Sequence, residues 1–535
     1  MKSIKKILAV ILSMTLMLTL GTAAFGAQKT LPSGKDTGSI NVTNLKPGDT
    51  VTAYQFVKAD YNEYGFTGYS AINNYVKDPV APTAQEVIDM ASNAATMTVA
   101  AEKKVATGDT EVTLNGLPVG YYLVMVTSGS ETVYSPMIAG IYYSKSATDN
   151  TLTNGAISAD SDFEIKAQKC WAKSSTPKLE KTIVTPSSKN SKGDDIAIGD
   201  KITFNLSATV PSYSREYKKV TYKIYDIMSE GLDYVDGSMK CFIEKYENNR
   251  ENIKVTPKVN GGIIEITFDS KFILEHPGQK IQVEYQAKLN EKAGVNFDAN
   301  INKAYLEYSN NPASGSTAKT GEDKVYVYTF GIDSNLFGKS TEKWNGKTKE
   351  LIKVEEGEYQ WVETEKESGI FTTTTALEGA TFTLTNNKTK KSYTATSDKY
   401  GYLKFTGLDA GEYTLQETDA PDGFTLNDAK HTVVITAEYN QDGTLKSYTI
   451  KIDDKATSTY TATYDKGVIK TITSTKDSQG NISESAILKN SKMSFLPSTG
   501  GVGTTIFAIV GVVFVAVALG LHMILRGKSK LEQDR

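Results

Sequence analysis

Short segments of alternating apolar and polar residues recur along most of this chain, and they constrain its fold more than any other feature. Such alternation is typical of β-strands, because successive side chains point to opposite faces of a sheet. Clusters of Gly, Asn, Asp and Pro separate the segments, as turns do. The sequence therefore predicts an all-β protein built from sandwiches. The clearest segments are KITFNLSATV (201–210), GGIIEITF (261–268), QKIQVEYQAKL (279–289), KAYLEYSN (303–310), KVYVYTF (324–330), GATFTLTN (379–386) and GEYTLQET (411–418).

One segment has a helical period instead. TAQEVIDMASNAAT (83–96) follows Pro82, and its apolar residues repeat at the spacing of one helix face. We expect a helix there, packed as a crossover on the sheet of the first domain.

The composition restricts the possible functions. The 535 residues carry a formal net charge of −3 without a basic cluster in the body of the chain, which argues against nucleic-acid binding. Three His and two Cys are too few for a four-Cys zinc site or for His-based catalysis. The chain also lacks the glycine-rich and acidic motifs of phosphate and calcium loops. We expect no metal site and no cofactor.

The N-terminus has the organisation of a secretory signal peptide over residues 1–27. A basic start, MKSIKK, precedes the apolar ILAVILSMTLMLTL and the small residues of GTAAFGA. An oxidising exterior permits a disulfide between Cys170 and Cys241. The alternative is two free thiols, because Cys241 lies in the strand-like SMKCFIEKY.

The C-terminus combines LPSTG (496–500), a largely apolar run (506–525) and a basic tail (526–535). Twenty residues at a helical rise of about 1.5 Å span the roughly 30 Å hydrocarbon core, and the basic tail stays cytoplasmic. A simple membrane anchor would have the same run and tail. The ordered triplet, however, resembles the cell-wall sorting signal of Gram-positive surface proteins.

That resemblance implies processing by a sortase, a membrane-bound cysteine transpeptidase. The motif residues are Leu496, Pro497, Ser498, Thr499 and Gly500. The enzyme would cut between Thr499 and Gly500 and pass the Thr499 carbonyl to an amine. Pro497 disfavours helix before it, so we expect the scissile bond to be extended and accessible.

Composition shifts indicate three domains between the two ends. QKCWAKSSTP (168–177) separates a first domain, 28–167, from a second, 168–330. A third domain covers 331–492. We interpret the polar NNPASGSTAKTGED (310–323) as a loop near the end of the second domain.

From residue 160 onward, the chain resembles the backbone subunits of sortase-assembled pili of Gram-positive bacteria; the first domain matches only loosely. The resemblance implies tandem immunoglobulin-like sandwiches of the CnaB type, often locked by an isopeptide bond between Lys and Asn side chains. The third domain would be of the SpaA type. The fragments that carry the resemblance, in order, are PKLEKTI, IAIGDKITFNLSATVP, YKIYDIMSEGLDY, NKAYLEYSNNP, VYVYTFGID, LEGATFTLTN, GYLKFTGLDAGEYTLQETDAPDGF, ILKNSK and LPSTG.

Isopeptide formation in the second domain would join Lys181 to Asn302 or Asn310, with Asp226 as the promoting acid. A buried Lys loses its charge more readily and becomes nucleophilic, while a buried carboxylic acid keeps its proton. The acid can then polarise the Asn carbonyl and move a proton to departing ammonia. Folding holds the groups together, which can lower the barrier by roughly 7–11 kcal/mol.

In the third domain the resemblance assigns Glu417 as the acid and Asn490 as the acceptor. The Lys partner would be Lys339, or alternatively Lys343. The first domain has no E-x-x-A-P segment after GYYLV, so we expect no bond there.

Polymerisation requires an exposed amine at the end of the first domain, within FEIKAQKCWAKSSTPKLEK. The resemblance favours Lys173, with Lys169 second and Lys166 also available. A basic linker without chemistry would have the same composition.

The resemblance thus implies a structural pilus subunit, joined through Thr499 to a Lys of the next subunit and attached to the cell wall or pilus at the cell surface. Its partners would be sortase, other pilins of the same and minor types, peptidoglycan and host surface ligands, but not nucleic acid. It would not be an enzyme. The alternative is a non-polymerising, wall-anchored adhesin or minor pilin with the same domains.

Overall fold

The computed structural model consists of two compact units. It describes residues 31–129, 131–145, 156–157, 163–184, 186–187, 190–246, 249–332, 352–355, 377–397, 403–453, 456–475 and 487–490. The first unit holds the chain up to Phe330 together with 407–409 and 438–446, and the second unit holds the rest. The predicted signal peptide and the segments 496–500, 506–525 and 526–535 lie outside the described residues.

The first unit begins with a domain of two sheets. Strand β2 lies inside the larger sheet, whose order is β3-β2-β6-β8-β9 with β4 also on β2, and the smaller sheet has the order β10-β1-β5. The short strands β7 and β11 pair with each other. The strands are β1 (Thr37–Thr43), β2 (Thr50–Asn62), β3 (Gly65–Ala71), β4 (Val99–Lys104), β5 (Glu111–Pro118), β6 (Gly120–Thr127), β7 (Val133–Tyr134), β8 (Met137–Ser144), β9 (Glu164–Ala167), β10 (Lys169–Trp171) and β11 (Ser174–Ser175).

The predicted helix is present but shorter than expected. Helix α1 spans Ala84–Ser92, and a 3-10 turn follows over Ala94–Thr96. Thr83 begins the helix with a capping box, in which its hydroxyl accepts from the backbone N–H of Glu86 and the Glu86 carboxylate accepts in return. The buried face packs against β2 and β6 side chains, as a crossover on the first sheet requires.

The second domain, also in the first unit, is a sandwich of two larger sheets. One sheet has the order β12-β14-β21-β17-β18 with β16 on β21, and the other has β13-β24-β22-β15-β20-β19 with β23 on β22. A short helix, α2, covers Ser270–Glu275. The strands are β12 (Leu179–Ile183), β13 (Gly193–Asp195), β14 (Lys201–Thr209), β15 (Tyr222–Met228), β16 (Leu232–Tyr234), β17 (Lys240–Tyr246), β18 (Asn249–Ile253), β19 (Lys258–Asn260), β20 (Ile263–Thr267), β21 (Lys280–Leu289), β22 (Asn300–Asn311), β23 (Ser316–Lys319) and β24 (Asp323–Tyr328).

Strand alternation builds the core of this domain. In β14, Ile202, Phe204 and Leu206 are buried, while the residues between them are partly exposed. Strands β15 and β22 follow the same period, and side chains of both sheets form one continuous core. Burial of each large apolar side chain stabilises the fold by about 1.5–3 kcal/mol.

The second unit contains most of a seven-stranded sheet in the order β28-β27-β30-β31-β32-β33-β34 and a parallel pair, β26 with β35. The strands from the start of this unit are β25 (Phe330–Ile332), β26 (Ile352–Glu355), β27 (Thr381–Asn386), β28 (Ser392–Thr396), β29 (Phe405–Leu408), β30 (Gly411–Asp419), β31 (Lys430–Tyr439), β32 (Leu445–Ile452), β33 (Ala456–Asp465), β34 (Val468–Thr475) and β35 (Ile487–Asn490).

The structure differs from two sequence predictions, one about a domain boundary and one about a loop. The segment 168–177 does not separate the first two domains, because β10 pairs in parallel with β1 and β11 pairs with β7. The first domain therefore continues to residue 175. The expected loop at 310–323 contains β23, which forms a hairpin with β22. No helix within the described ranges is long and apolar enough to cross a membrane.

Candidate crosslinking sites

Three polar side chains occupy core positions on strands of the second domain. Lys181 lies between buried Leu179 and Ile183 on β12. Asp226 and Asn302 hold equivalent core positions on β15 and β22. All three are completely buried, although the alternation of their strands assigns these positions to apolar residues.

A buried tyrosine joins the three groups. Tyr285, on β21, comes from the same sheet as Lys181, whereas Asp226 and Asn302 come from the facing sheet. Lys181 Nζ contacts Asp226 Oδ2 and lies 3.0 Å from the Tyr285 hydroxyl. That hydroxyl donates to Asp226 Oδ1 over 2.7 Å and accepts from Asn302 Nδ2 over 2.6 Å.

The surroundings favour uncharged forms. Burial lowers the pKa of Lys181, and the attraction of Asp226 opposes this effect. Burial likewise raises the pKa of Asp226, against the pull of Lys181. Lys181 Nζ also lies 5.1 Å from the ring centroid of Phe204 and 5.2 Å from that of Tyr285. A neutral amine beside a protonated acid is the state required for attack on an amide.

The backbone around Lys181 is held by a second charged pair. Asp323 Oδ2 accepts from the Lys181 backbone N–H over 2.7 Å and from Lys192 Nζ over 2.6 Å. Lys192 Nζ also donates to the Lys181 carbonyl over 2.6 Å. These contacts fix β12 against the start of β24 and so position the amine of Lys181 in the core.

The structure brings Asn302, rather than Asn310, to the predicted lysine and acid. Asn310 lies eight residues further along β22, is partly exposed, and accepts from the Ser316 hydroxyl over 2.8 Å. The Oδ1 atom of Asn302 is buried and has no hydrogen-bond partner within the part of the chain that the structure describes. Asn302 therefore joins the network through its amide nitrogen, which donates to the Tyr285 hydroxyl.

The predicted third-domain acid is also buried. Glu417, on β30, holds a core position, and its Oε2 accepts from the Asn427 backbone N–H over 2.7 Å. Asn490 is the last residue of β35. Both predicted lysines, Lys339 and Lys343, lie outside the described residues.

A lysine that the sequence analysis does not single out, Lys353, lies on the strand that pairs with the strand of Asn490. Strand β26 pairs in parallel with β35, with Glu355 opposite Asn490 and Lys353 opposite Leu488. Lys353 is thus two residues from the register partner of Asn490.

The polymerisation candidates lie at the end of the first domain. Lys173 follows β10 and is exposed, as is Lys169 on β10 itself, while Lys166 on β9 is partly exposed. The Lys173 carbonyl accepts from the Ser135 backbone N–H over 3.0 Å, which holds this segment on the domain.

The two cysteines are free and buried rather than joined. Burial raises the pKa of both thiols to about 12, so neither is a reactive thiolate at neutral pH. No cluster of three or more potential metal-binding side chains occurs among the described ranges.

Family models match three parts of the chain. Residues 35–174 match the T6 antigen Ig-like domain, and residues 370–451 match the SpaA prealbumin-like fold domain. Residues 489–530 match the LPXTG cell wall anchor motif, as the sequence predicts for this end.

Similar proteins match over most of the chain. The trypsin-resistant surface T6 protein of Streptococcus pyogenes serotype M6 is 26% identical, and the match covers 93% of this chain and 96% of that protein. The structure of the T6 backbone pilin of that serotype, described as a modular three-domain structure, is 21% identical with a TM-score of 0.58, covering 86% of this chain and 100% of the other.

The structure of the full-length major pilin SpaD of Corynebacterium diphtheriae is 16% identical with a TM-score of 0.47, and the match covers 87% of this chain and 99% of SpaD. The expected all-β, multi-domain fold is confirmed by the T6 structure. The resemblance to sortase-assembled major pilins is therefore confirmed, and the chain is a pilin-like protein of the cell surface with an LPXTG cell wall anchor at its C-terminus.

Proposed function

We propose that this chain is the repeating structural subunit of a covalently polymerised pilus. In this proposal sortase joins Thr499 of one subunit to a lysine of the next, and Lys–Asn isopeptide bonds lock the second and third domains. The chain acts as a sortase substrate and a self-crosslinking building block rather than as an enzyme. Its partners are sortase, pilins of the same and minor types, and peptidoglycan.

The burial of Lys181, Asp226 and Asn302 together is the observation that carries this proposal. Three hydrogen-bonding side chains in the core of a sandwich are costly unless they are paired or react. Here they include a nucleophile, an acid and an amide, held within one network. Because β12 and β22 belong to opposite sheets, a bond between them would lock the two layers of the domain.

In the third domain we propose Lys353 as the partner of Asn490, with Glu417 as the acid. The parallel pairing of β26 and β35 supports Lys353, because it brings the two backbones into adjacent register. Lys339 and Lys343 remain the competing sequence predictions.

Lys173 is the lysine that we propose for polymerisation. It is exposed on a segment held to the first domain, where a large enzyme can reach it. The test is immunoblotting of boiled cell-wall extracts. A pilus subunit gives a ladder of high-mass species, and Lys173→Ala should reduce that ladder to the monomer.

Lys169→Ala serves as the matched control for this test and should leave the ladder intact. If the ladder survives Lys173→Ala and disappears in Lys169→Ala, the polymerising lysine is Lys169. A single anchored band in the unaltered protein would instead identify a non-polymerising adhesin or minor pilin.

A further inference from the structure

The hydroxyl of Tyr285 lies where a proton has to pass during the proposed crosslinking reaction. It is within hydrogen-bond distance of the Lys181 amine, the Asp226 carboxyl and the Asn302 amide nitrogen. A neutral hydroxyl has one proton to donate and two lone pairs to accept with. All three are used here, and each is used on a group that reacts or catalyses.

The reaction requires one net proton transfer. Lys181 begins as a neutral amine and ends as an amide N–H, so Nζ loses one proton. Asn302 begins as an amide NH₂ and leaves as ammonia, so Nδ2 gains one proton. The bond that forms is Nζ–Cγ, and the bond that breaks is Cγ–Nδ2.

Asp226 cannot complete this transfer through the contacts seen in the structure. Its Oδ2 contacts Nζ, and its Oδ1 contacts the Tyr285 hydroxyl. The hydrogen bond of Asn302 Nδ2 is made to Tyr285 instead. The path from the acid to the leaving nitrogen therefore runs through the tyrosine oxygen.

We propose that Tyr285 is a catalytic residue that relays a proton from Asp226 to the leaving nitrogen of Asn302. This inference rests on the proposed crosslink between Lys181 and Asn302. Before the transfer the hydroxyl turns, so that protonated Oδ1 of Asp226 donates to the tyrosine oxygen and Tyr285 donates to Nδ2. After Nζ has attacked Cγ, Asp226 takes a proton from Nζ at Oδ2 and gives its Oδ1 proton to the tyrosine oxygen, while Tyr285 passes its own proton to Nδ2. The hydroxyl then has the hydrogen bonds seen in the structure, Tyr285 is again neutral, and Asp226 is again a neutral acid with its proton on Oδ2.

Two further observations support the relay. Tyr285 is completely buried, and burial raises its pKa well above the usual range, so the side chain stays a neutral hydroxyl that can both donate and accept. The hydrogen bond from Nδ2 also fixes the orientation of the amide, with Oδ1 directed away from the tyrosine. Tyr285 thus orients the leaving group as well as protonating it.

The test compares Tyr285→Phe with Tyr222→Phe in the full-length chain. Tyr222 is a buried tyrosine of the same core whose hydroxyl has no hydrogen-bond partner among the described residues. Each protein is made by cell-free synthesis with detergent, and the joined peptide containing Lys181 and Asn302 is quantified over time by mass spectrometry. Positioned proton transfer contributes about 10²–10⁴-fold to a rate, so Tyr285→Phe should form the joined peptide at least about 100-fold more slowly.

Tyr222→Phe should react at the rate of the unaltered protein. A Tyr285→Phe protein that folds and crosslinks at that same rate overturns the relay. If Tyr285→Phe does not fold, a fluorinated tyrosine at position 285 replaces it, because it keeps the ring and changes the acidity of the hydroxyl. An unchanged rate with that residue also overturns the relay. Absence of the joined peptide from the unaltered protein would refute the crosslink itself, which is a separate result.

Discussion

Lys181 and Asp226 contact each other across the two sheets of the second domain, and both side chains are completely buried. Exposed pairs of this kind contribute little to stability, whereas a buried pair carries a large desolvation cost. The same burial lowers the pKa of Lys181 and raises the pKa of Asp226, which favours a neutral amine beside a protonated acid. The pair therefore fits the crosslinking reaction that we propose better than a stabilising role.

Replacing Asp226 by Ala should prevent the second-domain crosslink. Without the acid, no carboxyl group is in contact with the Lys181 amine to take its proton, and none reaches the departing nitrogen through Tyr285. The Lys181 amine would also lose a buried hydrogen-bond partner, which typically costs about 1–3 kcal/mol. Each protein is weighed by intact-mass spectrometry and compared with the mass calculated from its own sequence. The Asp226→Ala protein should have lost one ammonia fewer than the unaltered protein. Asp233→Ala, an exposed change on β16, is the control and should leave the mass loss unchanged.

Asn302→Ala should abolish the same bond, whereas Asn310→Ala should not. The two asparagines lie on one strand, but only Asn302 reaches the Tyr285 hydroxyl. The bond would close a loop of roughly 120 residues, and by analogy with disulfides its loss should lower the free energy of unfolding by about 5 kcal/mol. Chemical denaturation measures this difference. A crosslink that persists in Asn302→Ala and is lost in Asn310→Ala would reverse the assignment.

The uncrosslinked Asn302→Ala protein should become more stable as the pH rises toward 10. Burial holds the folded pKa of Lys181 below its ordinary value of 10.5, so between those two values the unfolded chain binds a proton that the folded protein does not. The free energy of unfolding rises with pH wherever the unfolded state binds more protons.

Asp226 changes the free energy of unfolding with pH in the opposite direction. Burial raises the folded pKa of Asp226 above 3.8, so stability falls as the pH rises from 3.8 through the folded pKa. Urea unfolding of Asn302→Ala, compared with Asn302→Ala carrying Lys181→Met, isolates the alkaline effect of the lysine. A difference that stays flat between pH 7 and pH 10 would show that Lys181 is not buried as a neutral amine.

The sequence predicts the strands of the second domain well because both faces of the sandwich enforce a period of two. It also contains a signal for the site: Lys181, Asp226, Tyr285 and Asn302 all occupy positions that alternation assigns to the core. Alternation within one strand cannot show which core residues of opposite sheets meet. Register and sheet order decide that, and they distinguish Asn302 from Asn310.

The end of the first domain is harder to predict than the strands, because it depends on pairing between distant segments. Residues 168–177 are polar and contain a proline, as linkers do. Pairing of β10 with β1 joins positions far apart in sequence, and a local pattern does not reveal it. The same limit applies to the pairing of β26 with β35, on which the proposal of Lys353 rests, because these short strands are also far apart in sequence.

Both cysteines should resist alkylation in the folded protein at pH 8. Burial raises their pKa to about 12, so the thiolate fraction is small and the sulfur is inaccessible. Iodoacetamide labelling followed by mass spectrometry should modify neither Cys170 nor Cys241 until denaturant is added. Rapid labelling of either one in the native protein would contradict the burial seen here.

The third-domain bond should depend on Lys353 rather than on Lys339 or Lys343. Asn490 lies on a strand that pairs directly with the strand of Lys353, and a short side-chain bond requires neighbouring backbones. The Lys353→Arg protein should therefore lose one ammonia fewer than the unaltered protein, because a guanidinium stays charged and does not attack an amide. Glu417→Ala should remove the same loss, and Glu412→Ala, an exposed change on the same strand, should not. Peptide mapping identifies the residue directly: a fragment joining Asn490 to Lys339 or Lys343 would refute the assignment, and a fragment joining it to Lys353 would establish the bond.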